Sequence, residues 1–224
     1  AATQSTAVLL QWSASDVGVG LDRFELQYAL NGGGWQTASS ALAADARSYW
    51  FVGQAGGNYA FRMRAIDKAG NAEAWPGAAE AITTLAASCT GDGFENGDDT
   101  SAGEVSVTLG AAAQERSLCG LNDPDWVKFT ASAGQELAVM VNSLSGGAAV
   151  KLSLYAPGDA ATPIATAQSG GVGLGALLRW TAPSAGEYRL KIEPLRADLW
   201  GTQALYATWI GEPKTIFLPV VGRN

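Results

Sequence analysis

Between residues 92 and 125 the chain carries Asp92, Glu95, Asp98, Asp99, Glu104, Glu115, Asp123 and Asp125, and the only base among them is Arg116. Carboxylates crowded in this way repel one another. A hard divalent cation removes that cost by taking about six to eight oxygen ligands from carboxylates, carbonyls and water, and calcium is the natural candidate. The spacing is not that of an EF-hand, because no Asp-x-Asp-x-Asp-Gly run leads to a Glu at the last loop position. Two other readings of the same residues stand beside it: a solvated acidic loop, and a pair of carboxylates acting as general acid and base as in glycosidases. The last would need a substrate cleft, which no other feature of the sequence supplies.

The 224 residues include no histidine, so Ser-His-Asp and Cys-His catalysis and imidazole-held catalytic zinc are all excluded. Neither a Gly-x-Ser-x-Gly elbow nor a Gly-Lys-Ser/Thr phosphate loop is present. These exclusions predict a chain that is not an enzyme. A net charge of −7 argues against nucleic acid as a partner, and 47% hydrophobic content with 16% charged residues describes a chain that buries a core. No apolar stretch approaches the roughly 18 residues of a membrane span; the longest, Ile216 to Val221, is short and interrupted by Pro219. The first residues carry neither a basic nor an apolar leader region, so an export signal has been removed or lies outside this sequence. Cys89 and Cys119 stand 30 positions apart and belong to no Cys-x-x-Cys pair. They read either as a disulfide, whose loop closure contributes roughly 3.6 kcal/mol in the chain-entropy model, or as two separate buried thiols. The disulfide implies a secreted or surface location.

The elements that would position these groups are strands. Twenty-eight glycines and short apolar alternations predict an all-β fold. In residues 1–86 strands are expected at Ala7 to Trp12, Arg23 to Leu30, Gly34 to Thr37, Ser48 to Val52, Asn58 to Asp67 and Ala79 to Leu85. The alanine-rich stretch Ser39 to Ala46 reads as a loop or one short turn. Phe24, Leu26, Tyr28 and Leu30 share one face, as do Tyr59, Phe61, Met63 and Ala65, with Arg62 and Arg64 outward. Residues 87–103 lose large apolar side chains and read as an acidic, Gly-rich linker. Strands resume at Glu104 to Leu109, Asp125 to Ala131, Glu136 to Asn142, Val150 to Tyr155, Ala176 to Ala182, Gly186 to Pro194 and Gln203 to Ile210. The fold class is therefore two tandem β-sandwiches, residues 1–86 and 104–212, followed by a tail at 213–224.

Trp12-Ser13-Ala14-Ser15-Asp16, Phe24 to Tyr28, Trp35, Tyr59 to Ala65 and Asp67-Lys68-Ala69-Gly70-Asn71 follow one another in the order that resembles a fibronectin type III domain. The proline-rich first strand usual in that family is abbreviated, which leaves either a clipped domain or a first strand supplied from elsewhere. Further on, Phe94 to Thr100, Asn122 to Phe129 and Ala185 to Leu190 resemble the bacterial pre-peptidase C-terminal domain, a jelly-roll-like accessory module found behind secreted peptidases. That resemblance implies calcium held by Glu95, Asp98, Asp99, Asn122 or Asp123, and Asp125.

Of the eight tryptophans, Trp12 and Trp126 fall at core positions of the two resemblances; Trp200 and then Trp209 are the candidates for an exposed binding face, against the plainer role of plugging a core edge. The tail is β-prone and apolar at Ile216, Phe217, Leu218 and Val220, so it either folds back on its own chain or adds to a neighbour's sheet edge. The sequence thus predicts a non-catalytic binding or spacer module of a secreted or cell-surface bacterial protein, accessory to a peptidase or adhesin and stabilised by calcium. Its partner would be an extracellular polymer, a surface protein or another copy of itself. The alternative is a structural subunit of an extracellular filament joined by a terminal strand.

Overall fold

A computed structural model describes residues 2–16, 18–86, 88–95 and 97–213; the tail residues Ile216, Phe217, Leu218 and Val220 lie outside that set, as does Asn96. Among the described residues every regular element is a strand, and no helix is long and apolar enough to cross a membrane. In chain order the strands are β1 (Ala7–Gln11), β2 (Leu21–Leu30), β3 (Gln36–Ala43), β4 (Ser48–Val52), β5 (Asn58–Asp67) and β6 (Ala81–Thr84). Then follow β7 (Val105–Ser106), β8 (Gln114–Ser117), β9 (Asp125–Ala131), β10 (Glu136–Ser143), β11 (Val150–Tyr155), β12 (Pro163–Gln168), β13 (Ala176–Thr181), β14 (Gly186–Pro194) and β15 (Leu205–Gly211).

The first six strands make a four-stranded sheet, β3-β2-β5-β6, facing a two-stranded one, β1-β4. Alternation places Tyr28, Tyr59 and Phe61 on the facing side, where they meet Phe51 of β4: ring centroids lie 5.0 Å apart for Tyr28 and Phe51, and 5.0 Å for Phe51 and Phe61. Trp12, just past β1, packs edge-on against Phe24 at 5.8 Å. The other nine strands form sheets β13-β10-β15-β8 and β12-β11-β14-β9-β7, all antiparallel except the short β7–β9 pair. Between them Val127, Leu152, Leu154, Tyr188, Leu190, Ile192 and Tyr206 are almost completely buried. Full burial of a Leu or Ile side chain stabilises by roughly 1.5–3 kcal/mol, and these rows carry the second sandwich.

Three strand assignments read from the sequence need correction. Ser39 to Ala43, expected as loop, is the second half of β3, an edge strand whose pairing with β2 shifts register near Leu26. Its small Ala and Ser side chains add little packing, and backbone pairing alone holds it. Gln114–Ser117 and Pro163–Gln168 carry no apolar alternation strong enough to predict β8 and β12. The latter is an edge strand that begins at a proline, where a ladder donor is dispensable.

The first sandwich abuts one end of the second. Ser5 donates through its hydroxyl to the Gly146 carbonyl at 2.7 Å, Thr6 exchanges bonds with Trp200, and Gln203 N–H donates to the Gln4 carbonyl at 2.9 Å. Gly147, at φ 74°, makes this approach possible: a Cβ there would stand 2.8 Å from both Ala7 and Val172 and 3.0 Å from the Trp50 ring. Trp50 and Val52 of β4 are thereby packed against the core of the second sandwich.

Candidate metal centre and its buried arginine

The segment from Cys89 to Gly103 runs across the end of the second sandwich where β8 ends and β9 begins, and several independent ties hold it. A disulfide joins Cys89 to Cys119, just beyond β8. Asp92 is consumed by backbone donors, Phe94 N–H at 2.7 Å and Ser117 N–H at 2.5 Å. Trp126 N–H, at the start of β9, donates to the carbonyl of Asp98 at 2.7 Å. This last bond lines Asp98 up with Asp125, its neighbour across the junction.

Arg116 sits between them. Its position in β8, opposite Tyr206 of β15, turns its side chain into the sandwich, where it is 0% exposed. The guanidinium pairs with Asp98 and, at 3.2 Å, with Asp125; it also donates to Gln114 at 2.9 Å and lies 4.3 Å from the centre of the Phe94 ring. Tyr206 completes the set by donating its hydroxyl to Asp125. Burial pushes the Asp125 carboxyl well above its ordinary range, while the Tyr206 hydroxyl and Arg116 pull it back. Tyr206 is pushed up too, by burial and then by the Asp125 charge. Held by Arg116, Tyr206 and Asp98, Asp125 is only 4% exposed.

The remaining acids converge outside this network. Glu95, Asp99 and Asp123 each offer a carboxylate oxygen within 4.8 Å of the other two. Two ligands on opposite sides of a calcium ion, each at about 2.4 Å, stand about 4.8 Å apart, so the spacing suits one ion. Asp99 is exposed, Glu95 half-buried and Asp123 only 9% exposed. Partial burial, then the charges of Asp123 and Asp92, lift the Glu95 carboxyl from 4.5 to about 7. Asp123 is raised as well, first by burial, although the Cys119 N–H bond to it at 2.6 Å opposes the shift. Glu95 and Asp123, whose burial raises them, and exposed Asp99 beside them are hard oxygen donors of the kind a calcium ion takes. Asp98 Oδ1, buried at the edge of the same segment, has no hydrogen-bond partner among the described residues.

Of the five residues expected to hold metal, the structure therefore groups Glu95, Asp99 and Asp123, whereas Asp98 and Asp125 serve Arg116. The sequence reading treated Arg116 only as the lone base among acids. Its burial follows from its place in β8, a strand the sequence did not reveal. Trp200 backs against Thr6 at the contact between the sandwiches and lines a cavity of about 500 Å³ with Tyr28, Gln54, Tyr59 and Leu121. Trp209 instead lies half-exposed on the outer face of β15, opposite Met140, which in turn is opposite Leu177; those last two are 41% and 50% exposed. Two tryptophans without an assigned role proved to be structural. Arg62 stacks on Trp35 at 4.3 Å and on Trp75 at 5.0 Å, and Arg64 on Trp75 at 4.6 Å with Glu25 at 2.7 Å beyond. Alternating Arg residues on an outward strand face were the signal for that ladder.

No family model matches the chain, and no curated protein matches it in sequence. Among solved structures it is similar to the pre-peptidase C-terminal domain of collagenase from Bacillus anthracis, with 17% identity over 48% of this chain and 93% of that one, at a TM-score of 0.40. It is also similar to PliG from Aeromonas hydrophila, a periplasmic inhibitor of g-type lysozyme, with 22% identity over 48% of this chain and 94% of that one, at 0.32. A carbohydrate-binding module of the β-sandwich superfamily aligns over 90% of this chain and 89% of that one, with 11% identity and a TM-score of 0.27. These neighbours share the all-β sandwich architecture.

Proposed function

We propose that this chain is a non-catalytic extracellular module that binds or spaces other components of a secreted or surface bacterial protein, accessory to a peptidase or adhesin, with calcium stiffening the junction between its sandwiches. The observation that carries this reading is the convergence of Glu95, Asp99 and Asp123 on a segment already fastened by the Cys89–Cys119 disulfide and by Asp98 on Arg116. A cation there ties the lead-in segment, through Glu95 and Asp99, to Asp123 beside β9, and so limits how the first sandwich moves against the second. The acids that a hydrolase would need free are otherwise engaged: Asp125 by Arg116 and Tyr206, Asp92 by backbone donors. Trp209, Met140 and Leu177 form an exposed apolar row across β15, β10 and β13, which suits contact with an extracellular polymer or surface protein.

Calorimetric melting in calcium and in chelator tests the reading. A ligand that binds only the folded state at about 100 times its dissociation constant stabilises by about 2.7 kcal/mol. The second sandwich should melt higher in calcium, and Glu95→Gln with Asp99→Asn should abolish the difference. Identical melts in calcium and in chelator would remove the cation from the account.

A further inference from the structure

The first sandwich has an unfinished side. Its smaller sheet consists of β1 and β4 alone, and β1 pairs with β4 on one edge only. The parity of that pairing follows from its two ends: Gly53 N–H donates to the Thr6 carbonyl, and Trp12 N–H to the Arg47 carbonyl. Even-numbered residues therefore turn their backbone groups toward β4, and Ala7, Leu9 and Gln11 turn theirs away. Ala7 N–H is taken by the Ser5 hydroxyl at 3.0 Å; among the described residues no partner reaches the N–H or C=O groups of Leu9 and Gln11.

Beside this edge runs a groove of about 680 Å³ lined by Leu9, Leu10, Phe24, Leu26, Phe61 and Ile82. Leu9 is 38% and Ile82 59% exposed. Trp12, also in the lining, holds a buried indole Nε1 that has no acceptor among the described residues. The opposite side of the groove is treated differently. The β5 edge beyond β6 is closed by side chains, Glu80 accepting from Met63 N–H at 2.7 Å and Glu73 from Ala65 N–H at 2.9 Å. One edge is capped by carboxylates and the other is left as a template.

We infer that the β1 edge receives the segment Ile216–Val221 of a second copy of this chain, which adds as an extra strand and makes copies associate head to tail. The segment has the right chemistry and length. Six apolar residues, five of them β-prone and the sixth Pro219, extend over about 20 Å, against about 17 Å for the five of β1. Pro219 cannot donate, so Ile216, Leu218 and Val220 must make the bonds to β1 while Pro219 faces away, as proline does on sheet edges. Laid antiparallel to β1, that parity turns Phe217 and Val221 into the groove and sets Leu218 over Leu9.

Reach decides that the donor is another molecule. Among the described residues the contacts of the first sandwich with the second include Gly146, Gly147, Val172, Gly173, Trp200, Gly201 and Gln203, at the end where β15 starts. β15 starts at that end, beside Gln203, and runs away from it for seven residues, about 20 Å. Only Lys214 and Thr215 separate Pro213 from Ile216, and those three residue steps span at most about 11 Å. Pro213 thus leaves the second sandwich at the end opposite the first, so a second copy is the donor in this scheme. Such a contact is heterologous, so it propagates into a linear assembly unless the rotation closes a ring. The inference goes beyond the spacer reading and is independent of the cation.

Two variants test it in the full chain, by sedimentation and by light scattering across a concentration series. The first deletes residues 214–224. The second is Leu9→Pro, which removes an outward N–H and leaves the β1–β4 bonds intact, so that the fold persists and can be checked by its unaltered melting. Wild type should show mass rising with concentration, and each variant alone should be monomeric. Mixed, they should form one-to-one pairs and no larger species, because the deletion offers an open groove and Leu9→Pro offers a tail. A wild type that stays monomeric up to about 1 mM, or association that survives the deletion, would overturn the inference, as would a mixture that fails to pair.

Discussion

Replacing Arg116 with Met probes the network that fastens the junction. Met keeps the length and the apolar stem of arginine, so the loss is confined to the charge, the pairs with Asp98 and Asp125, the 2.9 Å bond to Gln114 and the stacking on Phe94. With Arg116 0% exposed and Asp98 and Asp125 at 1% and 4%, water cannot take over its role. Removing one partner of a buried ion pair typically costs about 3–5 kcal/mol, because the other charge is stranded. For a domain of this size that lowers the melting of the second sandwich by roughly 10–20 °C. Adding Asp98→Asn and Asp125→Asn to the same chain removes the stranded charges and should restore most of the stability. Acid gives an independent check. Burial already pushes the Asp125 carboxyl up, and without the Arg116 charge nothing opposes it but the Tyr206 hydroxyl, so the deficit of Arg116→Met should shrink as pH falls, by about 1.4 kcal/mol per unit while Asp125 is ionised. Urea unfolding followed by tryptophan fluorescence measures all three. A deficit below about 1 kcal/mol, or a triple variant weaker than the single one, would refute the assignment of Arg116 as the neutralising centre.

Two further outcomes follow from the same geometry. Glu95, raised from 4.5 to about 7, favours the folded state while protonated; in chelator that contribution is whole below pH 4.5 and lost as pH rises through about 7, and Glu95→Gln should flatten the profile of urea midpoints. Gly147→Ala places a Cβ on Ala7, Val172 and Trp50 in a backbone conformation of φ 74° and should cost more than about 2 kcal/mol, with faster proteolysis between residues 86 and 92 as the sandwiches separate.

The sandwich architecture was legible because most strands announce themselves by alternation. Asn58–Asp67, Asp125–Ala131, Val150–Tyr155 and Gly186–Pro194 each bury one face against a core, and the period of two follows directly. β8 was invisible for the opposite reason. Its sequence, Gln-Glu-Arg-Ser, buries an ion rather than an apolar side chain, and polarity hides a core position whenever charge is neutralised locally. The same blindness spread to the acids. Composition showed that Glu95, Asp98, Asp99, Asp123 and Asp125 had to be compensated, and it could not apportion them between a cation and Arg116, because that depends on which carboxylates β8 and β9 turn inward. The pairing of Cys89 with Cys119 needed no such geometry, since only two thiols exist.

The two sandwiches solve the problem of exposed backbone in different ways, and the difference bears on how the molecule is used. In the second, the chain concentrates its fastenings around the short β8: a disulfide two residues beyond its end, a buried arginine, and acids spaced for a cation. Those ties act on the lead-in segment, and close contacts at Gly147 and Trp200 join the first sandwich to the same end. In the first, Glu73 and Glu80 seal the β5 edge at the small entropic cost of two side chains, which shows that closing an edge lay within reach of this sequence. Leu9 and Gln11 have no such cover, and beside them Leu9 and Ile82 stay exposed. Contacts at the junction set the direction in which that edge faces, and a set direction lowers the cost for a strand arriving from outside to pair in one register.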